Sequence, residues 1–171
     1  MKYALILFFN VFSLTAFSQS NKLSLFKEKK IKIVNTYLDD EPNKLPLLTI
    51  TILNSTKQNI IFNRILVNII QFKKHPTSSS NNGDLISRAL SPIAALDLNL
   101  QQKEDSYLYS LKTPIEIVLK DAATIQVRLR SDLGKKHLIP SQIGYFKFTL
   151  TFITYDNKGI ITNPFLLGDS I

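Results

Sequence analysis

The chain has 171 residues, 44% of them hydrophobic and 20% charged, and a formal charge of +8. That balance fits one ordinary globular domain with its own core and excludes a disordered chain. Cysteine is absent, which excludes a disulfide framework, a thiolate nucleophile, a cysteine-ligated zinc and a lipoprotein anchored through a first mature cysteine. The positive charge favours anionic partners such as lipid headgroups or acidic glycans, and it also serves solubility.

Met1-Lys2 is a short basic start, and Tyr3 to Phe17 is an apolar run. It is shorter than the roughly 20 residues of a permanent membrane span. Ala16-Phe17-Ser18 puts small residues at the −3 and −1 positions of a cut before Gln19. The pattern predicts a signal-peptide helix over residues 1–18, cleaved between Ser18 and Gln19. The expected localisation is export, to the periplasm or outside the cell. Residues 19–30 form a basic lead-in, with Lys22, Lys27, Lys29 and Lys30 against the single acid Glu28. It reads as a solvated segment or as an electrostatic foot on an anionic surface.

Residues 31–171 are expected to form one domain. A first strand is placed at about 31–38, with Ile31, Ile33, Asn35 and Tyr37 sharing a face. Asp39-Asp40-Glu41 supplies clustered oxygens but lacks the spacing of a calcium loop, so it reads as a turn. Leu48, Ile50 and Ile52 mark one face of a strand over 47–54, which is expected to form a hairpin with the run from Ile60 to Phe72. The parity of that run breaks at Asn63-Arg64, the mark of a bulge or a change of sheet. Asn54-Ser55-Thr56 matches a glycosylation acceptor but carries turn chemistry. Lys73 to Gly83 reads as a polar surface loop, and its His75 has no acidic or histidine neighbour to act with. A short helical turn is placed near Ser91–Leu96, capped by Ser91 with Pro92 first.

Ser106–Leu111 and Pro114–Leu119 alternate again. Tyr107 and Tyr109 share a face, either as cross-strand packing or as a platform for a sugar ring. Thr124–Ser131 turns Ile125, Val127 and Leu129 inward and Gln126, Arg128 and Arg130 outward. Arg128 and Arg130, with Lys135 and Lys136 beyond them, form the best basic patch and the candidate anion-binding residues. No aromatic residue interleaves them, so nucleic acid is not an expected partner. Gly144 to Asp156 is the most decisive strand. Phe146, Phe148, Leu150 and Phe152 form an apolar wall, and Lys147, Thr149 and Thr151 form an expected wet face. Ile160–Leu167 is the last strand, broken or at an edge because of Pro164. The five glycines fall between expected strands or at the end.

The expected fold class is therefore all-β, a two-sheet antiparallel β-sandwich preceded by the signal helix. The segments LLTITILNSTKQNIIF, TPIEIVLKDAATIQVRLRS and GYFKFTLTFITYDNKGIITNPF resemble the early strands, middle strands and closing hairpin of an immunoglobulin-like or fibronectin III-like domain of secreted Bacteroidota proteins. The resemblance implies a sandwich and no particular activity. The clustered carboxylates Asp39, Asp40, Glu41, Glu104 and Asp105 form no catalytic spacing in sequence. No nucleophile–base pair, metal cluster or phosphate-cradling glycine loop is legible, so no enzyme activity, cofactor or metal is expected. The expected function is a non-catalytic interaction module with a protein partner in the cell envelope. The alternative is a glycan- or anion-binding sandwich.

Overall fold

The computed structural model describes residues 23–26, 30–40, 44–74, 92–133 and 136–168. The expected signal segment with Ser18 and Gln19, most of the basic lead-in, Glu41, His75 and Lys135 lie outside the described residues.

The fold is nearly all β, in two sheets. One contains β1 (Ser24–Leu25), β10 (Lys158–Ile161), β9 (Gly144–Thr154), β4 (Ile60–Lys74) and β6 (Ser106–Ile117), in that spatial order, with β11 (Phe165–Leu167) also on β9. The other runs β2 (Ile31–Asp39), β3 (Leu47–Asn54), β7 (Ala122–Leu133), β5 (Ala94–Asn99), with β8 (Lys136–Leu138) on the end of β7. Most neighbours are antiparallel, but β1 runs parallel to β10 and β5 runs parallel to β7. Both sheets are therefore mixed rather than purely antiparallel.

One core joins the two sheets. Leu48, Ile50, Ile52, Ile125, Val127 and Leu129 face it from the second sheet, and Phe62, Ile65, Val67, Phe146, Phe148, Leu150 and Phe152 face it from the first; every one is fully buried. Alternation along each strand produces this directly, because one parity points inward. Aromatic contacts stitch the first sheet internally: Phe62 meets Phe152 at 5.8 Å and Phe148 meets Phe165 at 5.5 Å between ring centroids.

β9 is the hydrogen-bonded centre, with β4 on one side and β10 followed by β11 on the other. Its outer parity is not wet throughout: Thr149 and Thr151 are 6% and 4% exposed. Neighbouring side chains cover them, because Thr151 stands opposite Leu66 and Ile161, and the Leu23 side chain reaches across Gly159. A central strand loses solvent on both faces when its neighbours carry large side chains.

Other expectations change for equally local reasons. β3 and β4 are not a hairpin: the 55–59 connection carries the chain from one sheet to the other. In β2 the register shifts between Ile33 and Asn35. This bulge turns Asn35 and Tyr37 to the outer face while Ile31 and Ile33 stay inward, opposite Asn54 and Ile52. The helical turn placed near Ser91–Leu96 gives way to β5, which starts at Ala94. The bulge expected at Asn63-Arg64 is present between Phe62 and Arg64, and the last strand is broken at Thr162–Pro164 into β10 and β11.

The single helical turn α1 (Pro140–Ile143) delivers the chain into β9 at Gly144. A Cβ there would lie 2.3 Å from the Lys73 carbonyl oxygen. Gly144→Ala must push β9 away from the end of β4, and a loss of about 1–3 kcal/mol is expected, read as a lower urea midpoint.

Candidate functional site

The two long flanks of the molecule are built differently. On one flank β5 and β6 are the last strands of their sheets. Tyr107 and Tyr109 of β6 cross that gap. Both hydroxyls donate to the Asn99 carbonyl, at 2.8 and 3.0 Å. The Asn99 amide donates back to the Tyr109 hydroxyl at 3.0 Å, and the Gln101 amide donates to the Tyr107 hydroxyl at 3.2 Å. The rings meet edge-on, 5.6 Å apart. The pair is a strap between sheets, and its polar atoms are already engaged.

Burial pushes the Tyr107 phenol well above its ordinary value, against the smaller opposing effect of the Gln101 amide. A raised phenol pKa means that the folded state keeps its proton after the unfolded state has begun to lose it. The stability contribution is full below about pH 10, the ordinary tyrosine value, and is lost as pH rises above it. Tyr107→Phe should flatten the alkaline decline of the urea midpoint between about pH 9 and 11.

On the opposite flank β1 and β2 are the last strands. The chain leaves the first sheet after Phe26 and enters the second at Ile31. Here no strap crosses among the described residues. Instead a groove of about 880 Å³ separates β2 from β10, lined by Leu25, Phe26, Ile31 to Thr36, Ser55, Gly159 to Ile161 and Asn163. Its lining is mixed: Ile31 and Ile160 form an apolar floor, Val34, Ile161 and Leu25 stand 48%, 48% and 59% exposed, and Asn35, Thr36, Ser55 and Asn163 supply polar wall. Lys32 is the charged residue lining it. A second depression of about 940 Å³ adjoins it through Leu25, Phe26 and Ser55, and carries Lys30, Lys57, Lys158 and Asp156. Lys158 holds Asp156 at 2.7 Å. Hydrogen bonding from Lys158, then from Thr154, keeps that carboxyl below its ordinary range. Among the described residues the flank therefore combines exposed apolar side chains and neutral polar ones at its centre with lysines at its rim.

The backbone of β2 adds to this. Ser55 donates its N–H to the Lys30 carbonyl at 2.8 Å, while Asn54 donates to Asp121 on the other side at 2.9 Å. Successive amides of β3 thus alternate between β2 and β7. Ile33, Thr36 and Leu38 stand opposite Ile52, Ile50 and Leu48. Their amides consequently face away from β3, along the open edge.

The arginine patch lies elsewhere, on the outer face of the second sheet. Arg128 is exposed and forms a 3.6 Å ion pair with Asp97, its neighbour on β5. Arg130 is half-buried opposite Asn99. Lys136 is placed just beyond them, opposite Leu133 where β8 returns on β7. Asp97 therefore neutralises part of this patch. Three of the clustered carboxylates are engaged within the fold: Asp40 accepts from the Gly168 amide at 3.3 Å, Asp105 pairs with Lys103 at 2.6 Å, and Glu104 accepts from the Phe72 amide at 3.4 Å. Among the described residues no group of three His, Cys, Asp or Glu side chains is placed to hold a metal ion, and no helix is long and apolar enough to cross a membrane.

The groove was not legible in the sequence, because its two walls are more than a hundred residues apart. Basic Lys30 and Lys32 beside an alternating strand were the available signal, but nothing local joined them to Ile160 and Ile161. The chain matches no family model, no curated protein and no solved structure.

Proposed function

We propose that this protein is an exported, non-catalytic, immunoglobulin-like β-sandwich that works by binding another protein of the cell envelope. The observation that carries the reading is the contrast between the flanks: one is strapped by two tyrosines, and the other, among the described residues, leaves a groove with exposed Leu25, Val34 and Ile161 beside a strand edge that no other strand pairs. Exposed apolar surface at an unpaired edge is costly to keep unless a partner uses it. The adjacency of β4, β9 and β10 in one sheet, and of β3 and β7 in the other, supports the immunoglobulin-like description, while the parallel β5–β7 pair departs from it.

Crosslinking of the tagged full-length protein in its native cells, with mass spectrometry of the captured material, tests this directly. One recurrent protein partner and a mature N-terminus at Gln19 are expected. A retained Met1 would overturn cleavage of the leader, and a reproducible turnover lost on a point substitution would overturn the non-catalytic reading. A second reading, binding of an anionic glycan or small anion at Arg128, Arg130, Lys135 and Lys136, draws on the shared outer face of the two arginines. Unchanged affinity for such a ligand in the Arg128→Ala, Arg130→Ala double variant would reject that site.

A further inference from the structure

We propose that the partner is bound as an extra strand: an extended, acidic polypeptide segment that hydrogen-bonds along the open edge of β2 and lays alternate apolar side chains into the groove against Ile160 and Ile161. The inference rests on the protein-binding reading above and specifies its chemistry. Three independent features converge on it. The outward amides of Ile33, Thr36 and Leu38 form the hydrogen-bonding row that strand addition needs. Leu25, Phe26, Val34 and Ile161 supply the apolar part of the groove beside them, among polar Asn35, Thr36, Ser55 and Asn163, so the apolar side chains of an added strand, which share one face, have these four residues to meet. Lys30, Lys32 and Lys57 stand at the rim, and among the described residues lining it the one acid, Asp156, is held by Lys158.

The charge decides between occupants. A second copy of the chain would bring the same lysines against themselves, and like charges across a strand pair are unfavourable. An acidic strand pairs with them instead. β6, the last strand of the first sheet on the strapped flank, carries both Lys112 and Pro114, whereas β2 carries Lys32 and no proline. β2 presents valine at its bulge, 48% exposed.

Thr36→Pro isolates the hydrogen-bonding edge. The Thr36 amide faces outward, so proline removes no bond to β3, yet its ring occupies the place of the incoming strand. Thr36→Val keeps the amide and serves as its control. The probe is a fluorescent peptide alternating glutamate and valine, with a lysine–valine peptide and a glutamate-only peptide as comparisons. Binding of the glutamate–valine peptide is expected, weakened at least about tenfold by Thr36→Pro and unchanged by Thr36→Val and by Arg128→Ala. Lys30→Glu with Lys32→Glu should weaken it comparably. Hydrogen exchange of the wild-type protein should slow at Ile33, Thr36 and Leu38 when the peptide is added. This arm stands even where Thr36→Pro fails to fold.

Equal binding of all three peptides, or no slowing at those amides, overturns the inference. So does self-association that Thr36→Pro abolishes while no peptide binds; the occupant is then a second copy. The cellular crosslinking separates the two levels. A partner captured equally by wild type and Thr36→Pro leaves the interaction reading standing and removes the strand-addition mode. No partner removes the reading itself.

Discussion

Phe62→Ala is expected to destabilise the fold by about 3–5 kcal/mol, the range for deleting a fully buried aromatic side chain. Phe62 is 0% exposed and sits on β4 between two other rings, Phe152 at 5.8 Å and Phe26 edge-on at 6.4 Å. Phe26 follows β1, so the same ring that fills the core also seats the crossing of the chain between sheets. With a urea dependence of about 2 kcal/mol per molar, the midpoint should fall by about 2 M. Leu166→Ala provides the contrast, because Leu166 is 57% exposed and a change within about 0.5 kcal/mol is expected there. Equal losses at both positions would contradict the core described above.

Asn54→Asp is expected to cost about 3–5 kcal/mol at neutral pH, as for an uncompensated buried charge. Asn54 is fully buried at the end of β3. Its amide nitrogen donates to the carbonyls of Gln58, Ile117 and Val118 at 2.8, 3.1 and 3.2 Å. Its oxygen accepts from the Thr56 amide and hydroxyl, at 3.0 and 2.7 Å. One side chain thus ties the crossover turn to the end of β6. A carboxylate would point negative charge at three carbonyl oxygens and leave them without a donor. Burial among acceptors raises the pKa of the new carboxyl, so the variant should regain stability as pH falls through that raised value. Urea midpoints at about pH 4.5 and 7 measure it, and a loss independent of pH would show that packing rather than charge is responsible. The same contacts place the amide nitrogen of the Asn54-Ser55-Thr56 motif inside the protein, in the turn role its chemistry implied.

What could be read from the sequence was whatever period two controls. The four inward residues of β9 and the bounds of that strand follow from alternation and from the glycine before it, and the same holds for Leu48, Ile50 and Ile52 and for Ile125, Val127 and Leu129. Alternation reports one strand at a time. It could not reveal that Thr149 and Thr151 are covered, because their cover comes from Leu23, Leu66 and Ile161 on other strands. Nor could it reveal that β3 and β4 belong to different sheets, because a turn of polar residues looks the same whether the chain doubles back or crosses over. The bulge in β2 reverses parity after Ile33 with an ordinary valine, and no glycine or proline marks it. The basic patch at Arg128 and Arg130 was visible, but its partner Asp97 comes from a parallel strand in a stretch whose period fits neither template. The flank groove needed the fold itself.

The placement of β9 also dictates when this chain becomes a protein. Its first sheet is centred on a strand at 144–154 that must meet β4 at 60–74, and the short β1 at 24–25 closes against 158–159. None of those pairings has a local substitute, and long loops must close before they form. The first sheet therefore stays without its central strand, and β4 without its β9 neighbour, until the last segments are delivered. If the chain is exported as proposed above, such lateness keeps the precursor loose during passage and defers native assembly to the far side. The same lateness makes the half-delivered chain the stage most exposed to proteases and to sticking.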